Sequence, residues 1–112
     1  MKVIDSKLSK DEILDIQKKY GDYIKLTIDI RKKLVVAGGE LHADGEKILL
    51  KKGSYQNDIW GGGINLKDRL IDTTAVLNIR PRLNNDSMEI LDSNVREKFQ
   101  SIIKKYFASL WH

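Results

Sequence analysis

Residues 23–30 read YIKLTIDI, in which polar and apolar side chains alternate without a break. Successive side chains of a β-strand point to opposite faces, so Ile24, Leu26, Ile28 and Ile30 are predicted to share one buried face. The polar residues 31–33 (RKK) then separate this strand from a second β-rich run, residues 34–37 (LVVA). The pattern predicts a β-hairpin whose turn type is left open, because the turn lacks the Asn-Gly or glycine that usually marks it.

Helices are predicted on both sides of this hairpin. Ser9 followed by Glu12 forms a capping-box pattern, and Gly21 suits the left-handed position that ends a helix, which predicts a helix over Lys10–Tyr20. Near the other end of the chain, apolar residues recur at intervals of three and four, which predicts a long amphipathic helix over about Asn94–Leu110.

A third, shorter helix is predicted from about Ala43 to Gly53. Basic residues stand in its last turn and a glycine follows, as is typical of a helix C-terminus. A hairpin that turns at Asp44-Gly45 fits the same residues and stays as the alternative.

The remaining segments are predicted as short strands and loops. Ile71–Arg80 alternates and is predicted as a strand that Pro81 ends, because proline has no N–H for the sheet ladder. The other predictions are a loop at residues 54–63, a short strand at Ile64–Leu66 and a polar loop at Leu83–Leu91. Together the elements predict a single domain over residues 1–112 with an α+β fold, in which the N-terminal helix and the long C-terminal helix pack on one face of a small antiparallel sheet.

The composition narrows the classes of function. The 112 residues contain no cysteine, which excludes thiolate metal sites, thiol nucleophiles and disulfides. The net charge of +4 is spread over short clusters, 31–33, 51–52 and 104–105, which are interpreted as solvated turns and helix ends, so a nucleic-acid partner is not expected. No long apolar run and no signal-peptide pattern is present, so no membrane contact is expected and a cytoplasmic location is predicted.

Three acidic and basic residues follow the diglycine Gly38-Gly39. If the strand continues beyond the glycines, Glu40, His42 and Asp44 point to the same side and could act as a catalytic base, acid and orienting group. The simpler alternative is that Glu40 ends a strand while His42 or Asp44 caps the next helix. No metal site and no cofactor is predicted, since the other histidine is the terminal His112.

Two further segments carry candidate ligand-binding residues. Asp58, Trp60 and Asn65 flank three glycines whose backbone could approach a ligand, while Trp60 offers a flat face; the alternative is that Trp60 closes the edge of the core. Asn78 and Arg80 share one face of the predicted strand and could together bind a carboxylate or phosphate. Alternatively, Arg80 forms an internal salt bridge, with Glu40 or Asp44 as the expected partner.

The same segments resemble a known family. Residues 36–44 (VAGGELHAD), Asp58-x-Trp60-Gly61, residues 64–66 (INL) and residues 78–81 (NIRP) look like a family of small bacterial proteins of about this length that carries only a domain-of-unknown-function label. The Gly-Gly-Glu-Leu-His-Ala-Asp run is the most specific part of this resemblance. The resemblance implies no activity.

The preferred hypothesis is a module that binds a small molecule or a protein at a polar site near Gly38-Gly39 and the Trp60 loop. The first alternative is a small hydrolase or phosphate-handling enzyme that uses His42 and Arg80. The second is a weak nucleic-acid binder that uses lysines and a stacking aromatic side chain. A homodimer stays open, since an exposed sheet edge can pair with a second copy.

Overall fold

The computed structural model describes residues 1–111, and the terminal His112 lies outside the described residues. These residues form three α-helices and five β-strands. The helices are α1 (Lys10–Tyr20), α2 (His42–Lys51) and α3 (Ser93–Tyr106), and the strands are β1 (Lys2–Ile4), β2 (Tyr23–Asp29), β3 (Leu34–Ala37), β4 (Ile59–Asn65) and β5 (Leu70–Asp72). Within these residues, no helix has the length and apolar character needed to cross a membrane.

The five strands form one antiparallel sheet in the order β1-β3-β2-β4-β5. Tyr106 and the other buried side chains of α3 share one apolar cluster with α1 and with Ile24, Leu26 and Ile28 of β2. This confirms the α+β fold with the N-terminal and C-terminal helices on one face. The third helix, α2, lies on the opposite face, where Leu49 packs with Val36 and Ile59.

The predicted hairpin is confirmed as β2 and β3, and a buried carboxylate organises its turn. One oxygen of Asp29 accepts the backbone N–H groups of Arg31 at 2.9 Å and Lys32 at 3.0 Å, while the other accepts the hydroxyl of Ser54 at 2.6 Å. Lys33 adopts a left-handed conformation with φ of 57°. The side chain of Asp29 therefore satisfies the turn amides, so the turn forms without a glycine.

The helix predictions are confirmed, with α1 at its predicted bounds, α2 as a helix rather than a hairpin, and α3 ending at Tyr106 before a short 3-10 turn. The loop predicted at residues 54–63 is wrong in its second half, because Ile59–Asn65 is strand β4. The strand predicted at Ile71–Arg80 is wrong after Asp72, because a 3-10 turn at Val76–Asn78 and isolated bridges at Thr74 and Arg80 replace it.

Strand β4 contains three consecutive glycines, and each one leaves room for a ring. A Cβ built at Gly61 would lie 3.0 Å from the His42 ring, and one at Gly62 would lie 2.8 Å from the Phe99 ring. The ring of Tyr23 occupies the corresponding space at Gly63. Because His42 and Phe99 belong to α2 and α3, the glycines let both helical layers approach the same strand closely.

Alanine at Gly61 or at Gly62 is expected to lower the free energy of unfolding by roughly 1–3 kcal/mol, since added volume forces packed groups apart. A Cβ at Gly61 would lie 2.8 Å from the Cβ of Ala75, so Ala75→Gly should recover part of that loss. A Cβ at Gly62 would meet the backbone carbonyl of Asp72, so Ala75→Gly should not rescue Gly62→Ala. Urea denaturation of each double-mutant cycle measures the coupling.

Equal coupling of Ala75→Gly to both substitutions would contradict this account of the glycine strand. Unchanged stability of both single variants would also contradict it, because the close approach of the two layers would then tolerate a methyl group.

Candidate functional site

The helix start separates the three residues that follow the diglycine. Strand β3 ends at Ala37 and α2 begins at His42, so the strand conformation does not continue through residue 44. On a helix, His42 and Asp44 are about 200° apart around the axis. The side chain of Glu40 is exposed, and its backbone carbonyl accepts a hydrogen bond from Lys25 Nζ. The structure therefore does not bring Glu40, His42 and Asp44 to one side, and their catalytic role stays a prediction.

The diglycine itself is covered by other parts of the chain. Gly38 and Gly39 have φ of 95° and 88°, a conformation that favours glycine. The ring of Tyr20 lies against Gly38, and the side chain of Met1 lies against Gly39. Side chains of the protein itself thus occupy the space beside the paired glycines.

His42 faces the glycine strand and is half-buried. Its Nε2 donates to the carbonyl oxygen of Gly62 at 2.6 Å. Burial lowers the pKa of His42, the charge of Lys25 lowers it further, and the Gly62 carbonyl and Asp72 oppose the change. The imidazole is therefore held neutral at pH 7, with one nitrogen used to fasten α2 to β4.

A tyrosine and an aspartate meet beside His42, across the space above Gly63. The Tyr23 hydroxyl donates to Asp72 Oδ2 at 2.7 Å, and Asp72 Oδ1 accepts the N–H and the hydroxyl of Thr74 at 2.9 and 2.6 Å. Burial raises the pKa of Asp72, but the hydrogen bonds from Thr74 and Tyr23 outweigh it and the pKa is lowered overall. Burial and then Asp72 raise the pKa of Tyr23. This pair was not predicted from the sequence. Tyr23 in the predicted strand and the glycine run 61–63 were both visible, but the run was predicted as a loop, so nothing placed it beside Tyr23.

Asn78 replaces a missing strand beside β4. Strand β5 pairs only with Gly63–Asn65, so the outer edge of β4 has no strand partner at Gly61. The side chain of Asn78 accepts the N–H of Gly61 at 2.8 Å and donates to its carbonyl at 2.9 Å. Asn85, which sequence reasoning did not single out, donates to the carbonyl of Asn78 at 2.8 Å. The two buried amides hold the loop between β5 and α3 against the sheet.

Arg80 lies in the interior next to Trp60. Its guanidinium contacts Glu46 Oε2 at 3.4 Å and the backbone carbonyl of Gln56 at 3.0 Å, and it lies 5.3 Å from the centre of the Trp60 ring. Burial lowers the pKa of Arg80, and Glu46 opposes that change. The internal salt bridge considered for Arg80 is present, but its partner is Glu46 of α2 and not Glu40 or Asp44.

A cavity of about 520 Å³, here called the Trp60 pocket, opens on the other side of this arrangement. Its lining includes apolar side chains from the loop and from α3, together with polar side chains near Trp60. The apolar ones include Leu83, Leu91 and Val95, and the polar ones include Asp58, Asn84 and Asp92. A mixture of apolar walls and a few polar groups in this range of volume is typical of small-molecule sites.

Trp60, which lines the pocket, carries a buried donor without a partner, and Asp58 and Asp92 each have one carboxylate oxygen without a partner in the described residues. Trp60 is 5% exposed, and its indole Nε1 is buried without a hydrogen-bond partner in the described residues. A buried polar group left unpaired costs roughly 1–3 kcal/mol. Two aspartates of the lining are each bonded through one carboxylate oxygen. Arg31 donates to Oδ2 of Asp58, and the first backbone N–H groups of α3 donate to Oδ1 of Asp92.

The structure thus groups four of the five predicted ligand-binding residues and separates one. Asp58 and Trp60 line the pocket, Arg80 lies against Trp60, and Asn78 holds the adjacent Gly61. Asn65 lies at the far end of β4, where its side chain accepts the N–H of Asp68 at 2.9 Å. Two residues of the pocket lining, Asn84 and Asp92, were not predicted as ligand-binding residues. Asn84 lies in the polar loop predicted at Leu83–Leu91, and Asp92 is the N-cap of α3. Within residues 1–111, no group of three His, Asp or Glu side chains could hold a metal ion.

The pH dependence of stability is expected to report the environment of His42. Because its pKa is lowered in the folded protein, the unfolded chain binds more protons below the ordinary histidine pKa of about 6.5. The free energy of unfolding should therefore fall as pH drops below that value, and His42→Gln should reduce this dependence. Urea denaturation at a series of pH values measures the difference, with both chains carrying His112→Gln so that only His42 differs.

Parallel curves for the two chains through this pH range would show that His42 titrates as it does in the unfolded state. A steeper fall in the His42→Gln chain would contradict the sign of the pKa change.

Comparison with known proteins places the chain in a family. The family model described as protein of unknown function (DUF5674) matches residues 2–106, from β1 to the end of α3. No curated protein and no solved structure matches the chain. The matched range contains His42, Trp60, Asn78 and Arg80, and it agrees with the resemblance to an uncharacterised family noted from the sequence segments. The chain therefore belongs to DUF5674, a family of proteins of unknown function.

Proposed function

We propose that this protein is a binding module that takes a small uncharged or cationic molecule into the Trp60 pocket. The observation that carries the proposal is the buried indole N–H of Trp60, which has no protein partner in the described residues and belongs to a side chain that lines the pocket. Because Nε1 is buried, a ligand oxygen would reach it by displacing the groups that cover it, and accepting this N–H would remove the cost of leaving it unpaired.

The polar lining supports a ligand with hydroxyl or amino groups. Asp58 and Asp92 contribute carboxylates to the lining, and Asn84 adds an amide. Among the described residues, no basic side chain lines the pocket. Arg80, the best candidate for an anion anchor in the sequence, is committed to Glu46 and the Gln56 carbonyl. A bound anion would therefore face two carboxylates, of which only Asp58 is paired with a cation, Arg31, in the described residues, whereas a hydroxyl or an ammonium group could donate to both.

Binding is preferred over catalysis because His42 and Arg80, on which the enzyme alternative depends, are already engaged. His42 Nε2 donates to a backbone carbonyl, and Arg80 is paired in the interior. Glu40 contributes only its backbone carbonyl to the contacts of the described residues. A hydrolase or phosphate-handling reaction would need these groups to converge on an open cleft.

The single domain over residues 1–112, the bacterial origin and the cytoplasmic location stay predictions from the sequence. The proposed binding does not depend on any of them. Pairing of two copies through a sheet edge would use β1 or β5, which are only three residues long each. Such short edges offer little backbone for a second copy, so we propose that the monomer carries the binding site.

Titration of the protein with a set of small polyols and amino alcohols tests the proposal, and the indole N–H signals in an ¹⁵N-correlated NMR spectrum report binding. Members that fit are expected to move the Trp60 signal with a Kd of about 1 mM, the range of a weak small ligand. Trp111, which is 38% exposed and does not line the pocket, is the internal control, and a Trp111→Phe variant assigns the two signals. Asp58→Asn should weaken binding about tenfold, as expected for the loss of one hydrogen bond to a charged group.

Asp68→Asn is the matched control, because Asp68 is exposed and lies outside the pocket. Binding in that variant should equal that of the wild type. The proposal fails if no polyol or amino alcohol moves the Trp60 signal, if Trp60 and Trp111 move together, or if inorganic phosphate and small carboxylates bind as tightly.

A further inference from the structure

Two basic clusters that are separate in the sequence line one groove in the structure. The groove, here called the basic groove, has a volume of about 720 Å³ and runs between the β2–β3 turn and α3. Arg31 and Lys33 line it from the turn, and Lys98 and Lys105 line it from α3. Among the described residues, Glu97 is the only acidic side chain in the lining, against four basic ones. The groove is therefore more basic than the whole chain, which has 20 basic and 16 acidic residues.

Three of the four basic side chains are free of ion pairs in the described residues, and the fourth, Arg31, is fixed in place. Within the described residues, Lys33, Lys98 and Lys105 take part in no salt bridge. Arg31 is held in place by Asp58 at 3.0 Å and by the Tyr55 ring, whose centre is 5.1 Å away. Basic side chains on facing walls raise the local potential more than the same charges spread over a convex surface, because a cleft focuses the field.

The groove also has apolar side chains between its charged walls. Ile30 and Ile102 are part of its lining, and no aromatic side chain is among the lining residues. Single-stranded nucleic acids bind mainly through aromatic stacking platforms combined with basic grooves. Basic walls with aliphatic residues and no stacking platform suit a polypeptide that carries both acidic and aliphatic side chains.

We propose that the basic groove binds an acidic, extended segment of a partner protein. Lys98 and Lys105 are seven positions apart on α3, which corresponds to roughly 10 Å along the helix axis. In an extended peptide of the polyproline II type, three residues complete one turn and span about 9 Å, so side chains three positions apart point to the same side. A segment that lies along α3 therefore places acidic residues three positions apart opposite the two lysines, with an aliphatic residue between them directed at Ile30 and Ile102. This proposal does not rest on the Trp60 pocket.

Fluorescence anisotropy with a labelled peptide of sequence Glu-Leu-Ser-Glu-Leu-Ser-Glu tests the proposal. The full chain is expected to bind it at low salt, with affinity that falls as salt is added. Replacing Lys98 and Lys105 together by glutamate should weaken binding by about tenfold or more, because like charges would then face each other. A peptide of the same composition, Glu-Glu-Glu-Leu-Leu-Ser-Ser, should bind several-fold more weakly than the spaced peptide.

The matched control replaces Lys47 and Lys67 together by glutamate. Both lysines are exposed and lie outside the groove, and the change in net charge is the same. Lys47 belongs to α2, on the opposite face of the sheet from α3, and Lys67 lies in the turn between β4 and β5. This double variant should bind the spaced peptide within about threefold of the wild type, since neither position lies beside the proposed peptide. Circular dichroism of both double variants confirms that each is folded before binding is compared.

Four results would overturn the proposal. They are no binding of the spaced peptide at low salt, equal losses in the two double variants, equal affinity for the two peptides, and tighter binding of a labelled polyuridylate of matching length. Sedimentation at the same concentrations adds a fifth, since self-association abolished only by the Lys98 and Lys105 changes would assign the groove to a second copy of the chain.

Discussion

Close packing of rings against the glycines of β4 is the constraint on which the rest of the structure depends. A strand with ordinary side chains at residues 61–63 would hold both helical layers farther from the sheet. His42 on one face and Phe99 on the other each occupy the volume that a Cβ would fill. Gly45 of α2 adds to this approach, because a Cβ there would meet the side chain of Thr27. Both helical layers thus lie close to β4, and the helices are positioned by contacts that only glycine permits.

The arrangement around Trp60 follows from this close approach. With α2 seated on β4 through His42, Glu46 one turn later comes within reach of Arg80. Arg80 then lies against the Trp60 ring, while Asn78 completes the edge of β4 at Gly61. Through these contacts, polar side chains that resemble ligand-binding groups in the sequence hold Trp60 and the edge of β4, and Trp60 itself lines the pocket. The polar groups left over for a ligand are the Trp60 N–H and the acidic and amide side chains of the pocket lining.

The charge of the chain is segregated in space although it is spread along the sequence. Ile30 lines both the Trp60 pocket and the basic groove, so the two cavities are neighbours. The start of α3 contributes Asp92 to the pocket, and its next turns contribute Lys98 to the groove. The acidic lining of one cavity and the basic lining of the other give adjacent surfaces opposite electrostatic character. Solubility alone does not require such an arrangement, since exposed charges scattered at random would serve it equally well.

Elements specified by local interactions were predictable from the sequence by itself. The capping box of Ser9 and Glu12 defines α1, alternation defines the β2–β3 hairpin, and helical periodicity defines α3, because each pattern involves residues within about one turn or one strand. The tertiary structure alone decided the rest. Glycines have no side chain and so no hydrophobic period, which hid β4, while Arg80 found its partner Glu46 from 34 positions away. The pocket and the groove likewise join segments distant in sequence, and only the packing of both layers against β4 determines which of those segments meet.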